Sequence, residues 1–342
     1  MKLREKQAKL ERMLSFNKSG KGSPFQEPST HIRGMIDVSG ALLVMGDADE
    51  QTKEALCRTG IKTGMESRFV FDTIIRQKDA LMAEFVACHS GHVNNADIFQ
   101  IPLSLDKVMY SANISDSLSA IAIPLGARCK DFEIGAIPLK RRLFAEHPSS
   151  HPPTFNQYHG YAAGLSLNGS KFAGSLAKLF HGTNIQMDST FGQLVYQPSI
   201  LTRFKISCLH QLLGTPSQQS GIGSFAIPLG HLRRNRTPTD VKSQLIALIL
   251  ETELDESTRI GGWIELQKTS SKSVKWGVSM SDMPEGEFGW GLGVVGSENR
   301  LQLDGYLDFR LGDRLHLQPG VLYATDGSTR IPSLLLRATW SL

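Results

Sequence analysis

Residues 289–296 read GWGLGVVG, and Gly291, Gly293 and Gly296 satisfy the GxGxxG spacing. In nucleotide-binding chains that spacing cradles a pyrophosphate at the start of a helix. Here a turn and another alternating segment follow, with no helix. The expected reading is therefore a bending strand whose inner face is bare, or one that another backbone approaches closely. His147, His151 and His159 share the stretch after Arg142, but a fourth metal ligand at suitable spacing is missing. Cys57, Cys88, Cys129 and Cys208 stand far apart without CxxC spacing, which reads as free thiols instead of a zinc site or a disulfide framework. GxSxG, HExxH and Walker patterns are absent. Neither an enzyme nor a cofactor is expected.

The polar residues with the most regular spacing lie elsewhere. Between residues 300 and 311, Leu301, Leu303, Leu307, Phe309 and Leu311 alternate with Gln302, Asp304, Asp308 and Arg310. An extended chain would carry the first set on one face and the second on the other. Lys275 in one neighbouring segment, and Arg337 and Thr339 in another, extend the polar face. In a wide barrel Lys275, Gln302, Asp304, Asp308, Arg310, Arg337 and Thr339 would line a wet lumen and set its ionic preference. In a soluble sheet sandwich the same residues would be the solvated side.

Composition leaves both options open: the 342 residues are 40% hydrophobic and 20% charged, with net charge +4. The longest apolar runs, ALLVMG at 41–46 and LIALIL at 245–250, fall well short of the roughly 20 residues of a spanning helix. A chain of this kind crosses a membrane only as a closed barrel, because hydrocarbon satisfies no backbone group. The mild, dispersed basic charge gives no nucleic-acid footprint.

From Lys242 onward, seven segments begin near Gln244, Thr258, Ser273, Glu287, Arg300, Arg314 and Arg330, separated by DES, SSK, MPEGE, GSEN, GD and DGS. Links this short force antiparallel neighbours, so the pattern is an up-and-down meander. The upstream half reads similarly, including KDFEIGAIPLK at 130–140 and GIGSFAIPLG at 221–230, while DADEQTKEALCRTG at 47–60 suits a helical turn. The total comes to about 16 to 19 strands at the usual strand-plus-turn length. Trp276, Trp290, Trp340, Tyr306 and Tyr323 suit aromatic girdles. The phrase Ile-Pro-Leu recurs at 101, 123, 137 and 227; proline removes a ladder donor, which places these sites at strand ends or bulges. Two of them precede the basic stretches with Lys140, Arg141 and Arg142 and with Arg233, Arg234 and Arg236, read as loops that contact partners. Residues 1–30 read as a basic helix on a Ser/Gly/Pro tether, and 31–342 as the barrel.

A basic amino-terminal helix, a long meander and the terminal LLLRATWSL together resemble the organellar outer-membrane β-barrels, notably the mitochondrial porin and general protein-import pore superfamily. The resemblance implies a transmembrane pore of a mitochondrial outer membrane, with the plastid envelope as the alternative location. Its cargo would be unfolded precursor polypeptides, or else anionic metabolites and ions. The partners implied are membrane lipids and small receptor or accessory subunits, with a homo-oligomer as a further arrangement. An assembly or tethering barrel and a soluble β-sandwich binding protein remain as alternatives.

Overall fold

Alternation of side chains requires a sheet with two different surroundings, and the sheet formed here closes on itself. The computed structural model describes residues 29–43, 64–75, 79–90, 102–134, 149–181, 187–213, 241–255, 257–268, 272–284, 288–312, 314–327 and 329–341. Among them are sixteen strands: β1 (Ser29–Leu43), β2 (Gly64–Ile74), β3 (Ala80–Ser90), β4 (Ser104–Asn113), β5 (Leu118–Leu125), β6 (Tyr161–Asn168), β7 (Phe172–Phe180) and β8 (Met187–Tyr196) in the first half. The second half contains β9 (Thr202–Leu213), β10 (Val241–Glu253), β11 (Thr258–Lys268), β12 (Lys272–Asp282), β13 (Phe288–Ser297), β14 (Arg300–Leu311), β15 (Leu315–Asp326) and β16 (Thr329–Ser341). Each strand pairs with the next in chain order, and β16 closes antiparallel on β1. Closure leaves no free sheet edge. The seam carries a bidentate ion pair, Arg337 of β16 donating through Nε at 2.9 Å to both oxygens of Asp37 in β1.

The two ends of the barrel differ. Seven turns at one end hold three to five residues each, whereas the other end carries the long connections 44–63, 91–103, 126–160 and 214–240. Local chemistry explains the tight turns. Asp255 accepts the backbone N–H groups of Ser257 at 2.9 Å and Thr258 at 2.6 Å, and these donors hold its carboxyl below the usual range. Gly327, at φ 62°, takes the left-handed conformation that the two-residue β15–β16 link needs. Of the Ile-Pro-Leu sites, Pro102 precedes β4 and Pro124 lies at the end of β5, opposite an irregularity in β4. The other two fall outside the described residues, as do residues 1–28, 47–60 and 221–230 with the helices and strand expected there.

Parity assigns the faces. On β14, Leu303, Leu307 and Phe309 are exposed on the outside, whereas Asp304 and Asp308 are buried on the inside. The outer surface is a belt of exposed large apolar side chains running round the strands, among them Leu176, Leu194, Val278, Leu292 and Leu336. So continuous an apolar surface suits hydrocarbon. Stacked aromatic pairs mark its edges: Phe172 and Tyr196 at 4.8 Å at the short-turn end, Tyr161 and Phe180 at 5.0 Å at the other. Trp276, Trp340 and Tyr323 are exposed outside as the girdle reading requires, and Trp290 shares their face. Tyr306 does not: it has even parity on β14, in register with Gly291 on the inner face, and its ring lies over that glycine.

Candidate functional site: an inner loop across the lumen

The connection between β5 and β6 does not stay at the rim but turns into the lumen. Its two described legs, 126–134 and 149–160, meet at their base: Gly126 N–H donates to Gly160 O at 3.0 Å and His159 N–H to Ala127 O at 2.7 Å. Of the segment 130–140, expected as a strand, the described residues 130–134 instead begin in a 3-10 turn, Cys129–Phe132, and the rest falls outside the described residues. Asp131 holds the start of that turn, accepting the Arg128 N–H at 2.8 Å while pairing with Lys107 of β4.

The first leg then runs along the adjoining wall, over β6 to β10. Phe132 packs on Gly164, where a Cβ would approach its ring to 2.7 Å. Ile134 N–H donates to Gln193 Oε1 of β8 at 2.8 Å. Lys205 of β9, its side chain 1% exposed, reaches Glu133 at 2.8 Å and Glu251 of β10 at 2.7 Å. The second leg starts at the opposite side. Ser149 donates to Asp304 of β14 at 3.3 Å, and its carbonyl accepts Trp263 Nε1 of β11 at 2.8 Å. From there Thr154 donates to Glu265 of β11, Gln211 of β9 donates to Gln157 at 2.9 Å, and His159 meets Ser189 of β8 at 3.3 Å.

Between these anchors the loop and the β5–β11 wall build an apolar core inside the barrel, including Phe132, Phe155, Leu179, Phe191, Ile249 and Trp263. Phe155 meets Phe191 edge-on at 5.7 Å. Filling one side in this way leaves the water-reached charges of the inner wall mainly on the other, from β12 round to β4. Lys275, Arg310, Arg337, Arg68 and Arg33 stand there, each with an acidic neighbour: Glu265, Asp308, Asp37, Glu66 and Asp72 respectively.

The pore-lining candidates expected from sequence all sit on that side. Lys275, Gln302, Arg310 and Arg337 face inward and are partly open to water. Asp304, Asp308 and Thr339 also point inward but are buried. Asp308 accepts Gln318 Nε2 at 3.2 Å and lies 3.4 Å from His316 Nδ1, while Thr339 donates to Asp37 at 3.3 Å. Lys140, Arg141, Arg142, Arg233, Arg234 and Arg236 fall outside the described residues. What sequence reasoning missed is the loop's grip on the wall, through Glu133, Ser149, Lys205, Gln193 and Trp263. One signal was available: the bare inner face of GWGLGVVG. At Gly293 a Cβ would collide with the side chain of Ser149, so the glycine marks where the loop approaches the wall.

The loop's titratable groups have structural roles. The Cys129 thiol is pushed up to about 12 by burial and then by Asp131, which leaves it unreactive. His159 is lowered, chiefly by burial, and is therefore held neutral with both ring nitrogens engaged. The ligand atoms of Glu133, His151 and Glu251 lie within 4.8 Å of one another. Lys205 already places an ammonium against both carboxylates, so the chain itself supplies the cation.

No known family pattern and no curated protein matches this sequence. The fold does have solved relatives. A loop-deletion form of OmpT, an outer membrane protein of Vibrio cholerae, is similar with TM-score 0.58 at 6% identity over 93% of this chain and 100% of that one. Salmonella typhi OmpF gives TM-score 0.58 at 9% identity over 92% and 97%. An anion-selective porin from Comamonas acidovorans gives TM-score 0.56 at 9% identity over 92% and 100%. The likeness is one of fold, and these three proteins are bacterial. Sixteen strands with an antiparallel seam fit the even-numbered bacterial barrels; the mitochondrial porin has 19 strands. The organellar resemblance read from the sequence therefore extends to barrel architecture and no further.

Proposed function

We propose that this chain is a non-enzymatic diffusion pore of an outer membrane, passing small polar solutes and ions. The observation that carries the reading is the consistent split of the closed barrel into an apolar outside and a charged, hydrogen-bonded inside. The even strand count and antiparallel seam favour a bacterial type of outer membrane over the mitochondrial or plastid one expected from the sequence. The inner loop favours solutes over unfolded precursor polypeptides as cargo. An extended polypeptide needs an unobstructed lumen, and here about half the wall is covered by the loop and its apolar core.

Reconstitution into planar bilayers tests the proposal. Stepwise, ohmic conductance that added presequence peptide leaves unchanged is expected. Absence of any conductance defeats the pore reading, and block by the peptide returns the import reading. Lys275→Glu exchanges a water-reached cation of the inner wall for an anion. It is expected to move the reversal potential in a salt gradient toward cation preference.

A further inference from the structure

The outer face of β4–β8 departs from the rest of the apolar belt. A cavity of about 700 Å³ opens there, within the range of roughly 300–1,000 Å³ that ligand sites occupy. The strand register explains the hollow. Tyr110, Ala122, Ala163, Lys178 and Thr190 are successive cross-strand partners on the outer face. Ala112, Ala120, Leu165 and Leu176 form the next row toward the short-turn end. The alanines give a low floor, and Tyr110, Leu165 and Leu176 stand above it as walls. Leu165 and Leu176 are 50% and 61% exposed, so the hollow lies on the surface of the belt.

Its other end is polar and holds one ammonium. Lys178 rises from the floor's register toward the aromatic edge, with Nζ 5.8 Å from the centre of the Phe180 ring. It donates to Thr190 Oγ1 at 3.3 Å and lies 3.7 Å from Asp188. A lysine on the lipid-facing side of a barrel costs about 2–4 kcal/mol at mid-depth and close to nothing at the interface. Its ammonium therefore belongs at headgroup level, with the hollow running from it into the hydrocarbon.

We propose that this hollow is a site for one anionic phospholipid, with an acyl chain over Ala112, Ala120, Ala122 and Ala163 and the phosphate on Lys178 and Thr190. The Lys178 ammonium selects this occupant, because Asp188 at 3.7 Å lies beyond hydrogen-bond reach and leaves donors for a phosphate. A phosphate offers several acceptor oxygens to an ammonium and a hydroxyl while staying at the wet interface. A second copy pressed on the same face would bury Lys178 and Asp188 in a medium that penalises both. The site rests on the outer face being immersed in lipid but is independent of whether the lumen conducts.

Native mass spectrometry of the detergent-purified full chain provides the test, after incubation with dioleoylphosphatidylglycerol or dioleoylphosphatidylcholine. One phosphatidylglycerol retained per barrel is expected, in preference to phosphatidylcholine. Lys178→Gln should weaken that retention about fivefold, the contribution of one lysine beside an anionic headgroup, and Lys178→Arg should restore it. Ala122→Phe should abolish retention of both lipids by filling the floor. Retention that does not distinguish the headgroups and is indifferent to Lys178→Gln overturns the site. So does loss of oligomer peaks, without loss of lipid, in Ala122→Phe, which assigns the face to a second copy. Co-flotation of the wild type with vesicles checks the membrane reading separately. If the barrel does not float, that reading has failed rather than the lipid site alone.

Discussion

Lys205 ties the inner loop to the wall through two carboxylates. Its ammonium lies out of water against Glu133 of the loop and Glu251 of the wall. A buried ion pair adds little stability relative to an apolar substitute, but removing one partner strands the other and costs about 3–5 kcal/mol. Lys205→Met should therefore loosen the first leg without dissolving the barrel, because the β9 ladder does not depend on that side chain. Hydrogen exchange should rise across 126–134 and stay unchanged in β9, and adding Glu133→Gln should recover part of the protection. The second leg has a pH dependence of known sign. Burial lowers His159, so above the ordinary value of about 6.5 the docked and released legs are both neutral. As pH falls through that value the released leg takes up a proton that the docked one refuses, and docking weakens. Protection factors across 149–160, which correct for the intrinsic slowing of exchange in acid, should fall between pH 6.5 and 5 in the wild type, and His159→Gln should remove the fall.

At the scale of the strand, parity carries most of the information. On β14, Leu307 points outward in mid-strand opposite Trp290, and Gln302 points inward. Leu307→Arg puts a charge into the belt and should lower folding stability in vesicles by about 2–4 kcal/mol, whereas Gln302→Arg should fold nearly as the wild type does. Equal costs would mean that the two faces meet the same medium. Because parity depends only on sequence spacing, the last seven strands were legible almost to the residue: those expected near Thr258 and Arg300 begin there. The opening residues of KDFEIGAIPLK, 130–134, were misread because spacing reports extension and does not say whether a segment joins the ladder. They turn in the lumen, where Phe132 finds apolar company that sequence order conceals. Tyr306 was misplaced for a different reason. Aromatic residues were assigned to girdles by type, although its even position had already put it inside. The partner of Arg337 was not readable at all, since Asp37 stands at the other end of the chain and only closure brings them together.

At the scale of the molecule, the lumen is divided by a segment that is part of neither the ladder nor the outer surface. The division depends on both ends of the second leg, and Ser149 holds the end that crosses to β13 and β14. Two unrelated wall features keep it there: Trp263 donates to its carbonyl, and the missing side chain of Gly293 makes room for it. Trp263→Phe deletes the donor while leaving most of the apolar bulk, and Gly293→Val fills the space. The two lesions act on different strands by different physics, one losing a buried hydrogen bond and the other adding volume. If the loop sets the width of the pore, both should nevertheless produce the same change: a larger single-channel conductance with more frequent fluctuations. The ladders of β11 and β13 remain paired in both variants, so the heat and denaturant resistance of the barrel should fall little. Unchanged conductance in both variants would show that ions pass elsewhere, and that the leg at Ser149 stabilises the lumen without narrowing it. A change in only one would tie the effect to that strand instead of the loop. Only a shared change places control of passage in the inner loop.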